Sequence, residues 1–254
     1  MPPNYPSPIP SAVGRRSSLS FTLIELLVVM GIVSVLMVLL VPALSGLKTA
    51  DSITSSAYTV KDALDQARAY ALAKQTYTWV GFFEESSNFS MTAGTGRLVI
   101  STVASVSGTR VYSDTVTDPP PLTASSLVQV RELLKIDNAH LERIPDTAIS
   151  RASIPADQYH VGHSDFGKRQ QFDGSMITNN TTFSYPLTGM AQYTFQKIIQ
   201  YNPQGDATKI VDTPTRTIEL GLRPTHGSVI DGNNRNLIVI QLTGITGLTR
   251  LIRP

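Results

Sequence analysis

The sequence predicts an α+β fold. A long N-terminal helix, transmembrane in its first half, packs on a C-terminal antiparallel β-sheet or sandwich. Three observations predict it. An apolar run spans Phe21–Val41, with Thr22, Glu25 and Ser34 as its polar residues. No glycine or proline occurs between Gly46 and Gly81, and an apolar stripe recurs there at helical spacing. From Thr76 onward the pattern changes to short β-rich runs separated by turn residues.

The elements follow in chain order. Residues 1–20 carry Arg15 and Arg16 and no acid, and five of the first ten residues are proline. Such an arm is extended and does not pack. As a helix, Phe21–Val41 is about 31 Å long, enough to cross a bilayer core. The arginines before it put the N-terminus in the cytoplasm and the rest outside. Ala57, Val60, Leu64, Ala67 and Ala71 then make one narrow apolar stripe on a helix ending near Gln75. The helix from Phe21 to Gln75 spans about 80 Å. Candidate strands are Thr76–Phe83, Leu98–Val103, Leu127–Lys135, Tyr193–Tyr201, Arg216–Leu222, Leu237–Thr243 and Leu248–Arg253. Residues 145–190 read as a polar excursion from the sheet, and "TGITG" as the turn of a terminal hairpin. The domain reading is 1–20 leader, 21–75 helix (transmembrane over 21–41) and 76–254 β-rich extracytoplasmic domain.

Composition narrows the chemistry. The chain has 254 residues, 41% of them hydrophobic and 16% charged, which fits a folded protein with one greasy segment. It has no cysteine, so thiolate metal sites, cysteine nucleophiles and disulfides are excluded. The formal charge is +2, and both excess positive charges lie in residues 1–20. A nearly neutral remainder disfavours nucleic acid as a partner.

Glu25 is the anomaly. A carboxylate at the centre of a bilayer helix costs about 2.5–3.5 kcal/mol even on a lenient insertion scale. A cleaved secretory signal has a shorter apolar region and a small-residue cleavage site. A twin-arginine export signal accounts for Arg15 and Arg16 but not for the carboxylate. An uncleaved anchor explains the length and the arginines, and again not Glu25.

The string Phe21-Thr22-Leu23-Ile24-Glu25, followed by "LLVVMGIVSVLMVLLVPAL" and preceded by a short basic leader, resembles the N-terminus of type IV prepilins and type II secretion pseudopilins. The resemblance implies cleavage between Ser20 and Phe21 by a prepilin peptidase and methylation of the new amine on Phe21. It implies that Glu25 meets the N-terminal amine of a neighbouring pilin or pseudopilin subunit during assembly. It further implies that Pro42 kinks the helix. Partners would be the peptidase, other subunits, an inner-membrane assembly platform and the lipid bilayer. The location would be the bacterial inner membrane, single-pass, and then a pilus or pseudopilus. The residue before the cut is usually glycine and here is Ser20, a small residue that still permits close backbone approach. The later strings "ARAYALAKQTYTWVGFF" and "YNPQGDAT" resemble H-type minor pseudopilins and minor pilins, and more loosely the prepilin-type Verru/Chthon cassette proteins.

Other chemistry is weakly supported. His160, His163 and Asp165 lie close together, but Gly162 between them points to a solvated loop rather than a metal site. "DGNNRN" lacks the spaced acids and closing glutamate of a calcium loop. There is no glycine-rich phosphate loop and no nucleophile elbow. No catalytic role and no cofactor are therefore expected. Arg250 and Arg253 are the residues a DNA-binding minor pilin would use; on a strand two arginines more often serve as a solvated, charged edge that discourages sheet pairing. A membrane-anchored exported protein with an unrecognised enzymatic site is the other alternative.

Overall fold

The computed structural model describes residues 22–111, 122–142, 169–172, 182–208, 217–232 and 236–253. The helix α1 runs from Leu23 to Lys74. The chain divides into two compact units, Met1–Gly46 and Leu47–Pro254, and α1 contributes to both.

In the second unit α1 is held by its stripe. Ile53, Ala57, Val60, Leu64, Ala67 and Ala71 are all buried. They share a core with Val80, Phe82, Leu98, Ile100, Ile199, Tyr201, Leu220 and Ile240. Three of the six stripe residues are alanines, and small side chains let a strand approach the helix backbone. The Thr78 hydroxyl accordingly donates to the Ala67 carbonyl at 3.1 Å. The helix stops at Gln75, whose φ of 51° is left-handed. The Thr76 N–H then reaches back to the Ala71 carbonyl at 3.1 Å, the six-to-one bond of a Schellman stop. The Gln75 side chain donates to the Leu72 carbonyl at 2.8 Å and satisfies another terminal acceptor.

The strands among the described residues are β1 (Thr78–Ser86), β2 (Gly96–Ser105), β3 (Leu127–Gln129), β4 (Leu134–Glu142), β5 (Arg169–Phe172), β6 (Phe183–Tyr185), β7 (Tyr193–Phe195), β8 (Lys197–Tyr201), β9 (Ala207–Thr208), β10 (Thr217–His226), β11 (Val229–Ile230), β12 (Ile238–Thr243) and β13 (Thr249–Ile252). The main sheet runs β13-β12-β10-β4-β2-β1-β8-β9, with β11 and β5 added to β10 and β3 to β2. Its pairs are antiparallel except β5 with β10. The fold is α+β, as the sequence predicts.

The period of two along β1 and β2 sorts side chains between two layers. Val80, Phe82, Leu98 and Ile100 face the helix. Trp79, Val99 and Val103 face a two-stranded ribbon of β6 and β7, with Phe183, Tyr193 and Phe195. The Trp79 indole donates to Gln200 Oε1 at 2.9 Å, so the largest buried ring leaves no polar atom unpaired.

Three strand expectations need correction. Leu127–Lys135 is two strands, because the Gln129 amide donates to Ser101 Oγ at 2.9 Å and to the Arg131 carbonyl at 2.8 Å, fixing a break before β4. Tyr193–Tyr201 is also two, since β7 pairs with β6 in the ribbon and β8 pairs with β1 in the main sheet. The supposed polar excursion over 145–190 contains β5 and β6. The terminal hairpin is present, β12 pairing with β13 from Val239–Ile252 to Leu242–Thr249.

Two adjacent carboxylates at the end of β1 anchor polar contacts on its two opposite faces. Glu84 accepts from Lys197 Nζ at 2.8 Å and the Leu141 N–H at 3.0 Å, and lies 2.6 Å from His140 Nδ1. Glu85 has a fully buried side chain. It accepts from Arg97 Nη1 at 2.9 Å, the Tyr193 hydroxyl at 2.8 Å, Ser90 at 3.1 Å and the Met91 N–H. Burial pushes the Glu85 carboxyl up, but the Met91 N–H, Arg97, Tyr193 and Lys135 outweigh it and hold it at about 2. The folded value thus lies below the ordinary 4.5. The stabilisation is complete above the ordinary value and drains away as pH falls from there toward the folded value. After allowance for solvent screening it amounts to about 1–2 kcal/mol. Between pH 7 and pH 3 the urea midpoint should therefore fall further for the native chain than for Glu85→Gln; equal shifts would show that Glu85 does not carry the acid sensitivity.

Candidate functional site at the head of the helix

Ser20 and Phe21 lie outside the described residues, as do His160, His163 and Asp165. Thr22 directly precedes α1. Thr22 and Glu25 form a reciprocal cap. The Glu25 N–H donates to Thr22 Oγ1 at 3.3 Å. The Thr22 N–H and hydroxyl both donate to Glu25 Oε2, each at 2.9 Å. This is the capping-box arrangement, in which two orphan N–H groups at a helix start are satisfied by side chains. The helix dipole also favours an anion in the first turn. Glu25 Oε1 makes no hydrogen bond among the described residues.

The signal for this cap is present in the sequence as Thr-x-x-Glu before an apolar run, where the cost of a buried charge overshadows it. Its consequence is testable. Thr22→Ala removes the hydroxyl from both exchanges, and loss of such a cap costs about 1 kcal/mol. Amide exchange at Leu23–Leu26, measured by NMR on the full chain in micelles, should speed up roughly fivefold. Unchanged protection would mean that the first turn is held by something other than Thr22.

Around this head the helix surface is apolar and uncovered. Leu23 is 81% exposed and even Val33, the least exposed of the large side chains here, is 41% exposed. The Ser34 hydroxyl turns inward to the Met30 carbonyl at 2.7 Å, so it offers no polar interruption. Among the described residues no helix is long and apolar enough to cross a membrane. The described side chains of the run cover 22–37, and the rest of the expected 21–41 span falls outside them. Pro42 lies within α1.

At the other end of the chain, Arg250 donates to Gln241 Oε1 and Arg253 to Thr54 Oγ1. These contacts tie the last strand to β12 and to α1. Among the described residues no cluster of histidine, aspartate or glutamate is arranged to hold a metal ion.

The basic leader, the capped glutamate and the bare apolar helix together define a prepilin-type N-terminus. The family model described as the prokaryotic N-terminal methylation motif matches residues 15–41. That segment carries the N-terminal motif of type IV prepilin-like proteins, and it supports a pilin- or pseudopilin-like substrate of prepilin peptidase. It marks a membrane-anchored protein of the pilus or pseudopilus kind. No curated protein and no solved structure matches the chain significantly.

Proposed function

We propose that this chain is a minor structural subunit of a type IV pilus-like filament or a type II secretion pseudopilus. It inserts as a single-pass protein through residues 21–41 with its N-terminus in the cytoplasm. Prepilin peptidase removes residues 1–20, and the amine of Phe21 is methylated. An inner-membrane platform then extracts the subunit from the lipid bilayer into a bundle of N-terminal helices. The β unit is structural rather than catalytic.

The observation that carries this reading is the motif over residues 15–41 with Glu25 exposed at the head of α1. The cap uses one carboxylate oxygen, Oε2, and leaves Oε1 for the amine of a neighbouring subunit. One glutamate therefore serves its own helix and a partner at once. Such pairing neutralises two charges that the bilayer core would otherwise hold singly.

Mass spectrometry of the mature chain from cells tests the processing. The expected result is an N-terminal methylated Phe21. An intact Met1, or a cut after Ala43, would overturn the proposal.

A further inference from the structure

We propose that Thr22 is a positioning residue for assembly. It holds the Glu25 carboxylate in one orientation, with Oε1 free, before the amine of a neighbouring subunit arrives. The proposal rests on the assembly reading above and names the residue that prepares its charged group.

Glu25 has a long side chain on an uncovered surface. Leu23, Ile24 and Leu26 around it are all exposed. Packing therefore does not choose its rotamer, and an unrestrained glutamate samples several staggered wells. Among the described residues its side chain has hydrogen bonds to Thr22 alone. Whatever order the carboxylate has comes from that one neighbour.

Thr22 supplies it through both of its polar groups. Its N–H and its hydroxyl converge on the same oxygen, Oε2, each at 2.9 Å. Its Oγ1 also accepts from the Glu25 N–H at 3.3 Å, which fixes the backbone that carries the side chain. The hydroxyl thus donates and accepts across one helical turn. Serine can do the same. Valine has the shape of threonine but offers neither bond, so the pair of replacements separates chemistry from bulk.

Two opposite effects on assembly are conceivable, and the geometry selects one. A cap that had to break on pairing would favour the lone subunit and oppose assembly. Here both donors share Oε2, and Oε1 accepts no bond among the described residues. A carboxylate offers about four lone-pair sites, so an ammonium can bind Oε1 with the cap intact. The cap bonds are then present before and after pairing and cancel. What remains is the ordering of Glu25, completed in advance. Pinning such a side chain before association is worth roughly two- to tenfold in affinity. That a partner engages this turn is indicated independently by the methylation motif over residues 15–41, which contains both Thr22 and Glu25.

A double-mutant cycle tests the proposal. Full-length chains are expressed in filament-forming cells. Subunit is quantified in the sheared filament fraction relative to the membrane, with mass spectrometry confirming the cut before Phe21. Thr22→Ala and Thr22→Val should each lower incorporation about fivefold, and Thr22→Ser should restore it. Added to Glu25→Ala, Thr22→Ala should have no further effect, because no carboxylate is left to orient. The N–H of residue 25 can still reach the Thr22 hydroxyl in that background. A purely structural cap would therefore lower incorporation about fivefold there too. That additive result overturns the proposal and leaves Glu25 pairing standing. Native incorporation of Thr22→Val overturns it as well, and raised incorporation would show that the cap must break for pairing. Loss of the cut in Thr22→Ala would move Thr22 to peptidase recognition and overturn it likewise. Native incorporation of Glu25→Ala sinks the pairing reading itself, and this proposal with it.

Discussion

Glu25→Ala leaves the cut before Phe21 intact and lowers incorporation into filaments at least tenfold. The measurement is the ratio of subunit in the sheared filament fraction to that in the membrane, with mass spectrometry confirming processing in both. The size of the effect follows from two contributions. A carboxylate–ammonium pair about 4 Å apart gains on the order of 4 kcal/mol at an effective dielectric near 20, part of which desolvation cancels. A net gain of about 1.4 kcal/mol already gives a tenfold change. Alanine also removes the acceptor of the Thr22 N–H. Glu25→Gln separates the two roles, because its amide oxygen can still accept from Thr22 while the charge is gone. Failure of Glu25→Gln to assemble, with the first turn still protected, supports charge pairing. Native incorporation of Glu25→Gln would show that the cap, not the charge, matters.

Gly81→Ala destabilises the β unit by about 3 kcal/mol, the upper part of the range for overpacking. Gly81 lies on β1 opposite the ribbon. A Cβ there would stand 2.6 Å from Phe195 Cβ and 2.7 Å from Phe183 Cζ. Those two rings stack at 5.0 Å between centroids and are both buried. Phe195 Cβ is anchored to backbone and cannot swing aside, so the ribbon must lift from the sheet. Thermal unfolding should shift down by about 6–12 °C for a unit of this size. A near-UV circular dichroism change confined to the aromatic layer would accompany it. A native midpoint would show that the ribbon accommodates the methyl group and that its packing is not decisive.

The helical half of this fold was legible because its signal is local. The spacing of Ala57, Val60, Leu64, Ala67 and Ala71 fixes which face of α1 is buried, and all five are. The β half was legible in outline and misread in its joints. "YTFQKIIQY" reads as one strand, yet Gln196 separates a ribbon strand from a sheet strand. The decision belongs to partners, β6 for one piece and β1 for the other, which lie elsewhere in the chain. The break after Gln129 is set by its amide reaching Ser101, again a distant residue. β10 runs through Pro224, which pairs with Ala139 of β4 and would ordinarily demote a strand. At the site, the Phe-Thr-Leu-Ile-Glu string was informative because the chemistry is carried by consecutive residues.

The C-terminal hairpin closes on the helix that starts the unit. Thr249 bonds Asp65, Arg68 bonds the Thr246 carbonyl, and Arg253 bonds Thr54. These partners are 178 to 199 positions apart in sequence. A chain emerging from a ribosome or a membrane channel therefore exposes the alanine-rich stripe of α1 long before β12 and β13 arrive to cover it. Folding of the unit is a late event, governed by closure of a loop that spans almost all of it. Until then the helix is available to chaperones, or to the helices of other subunits.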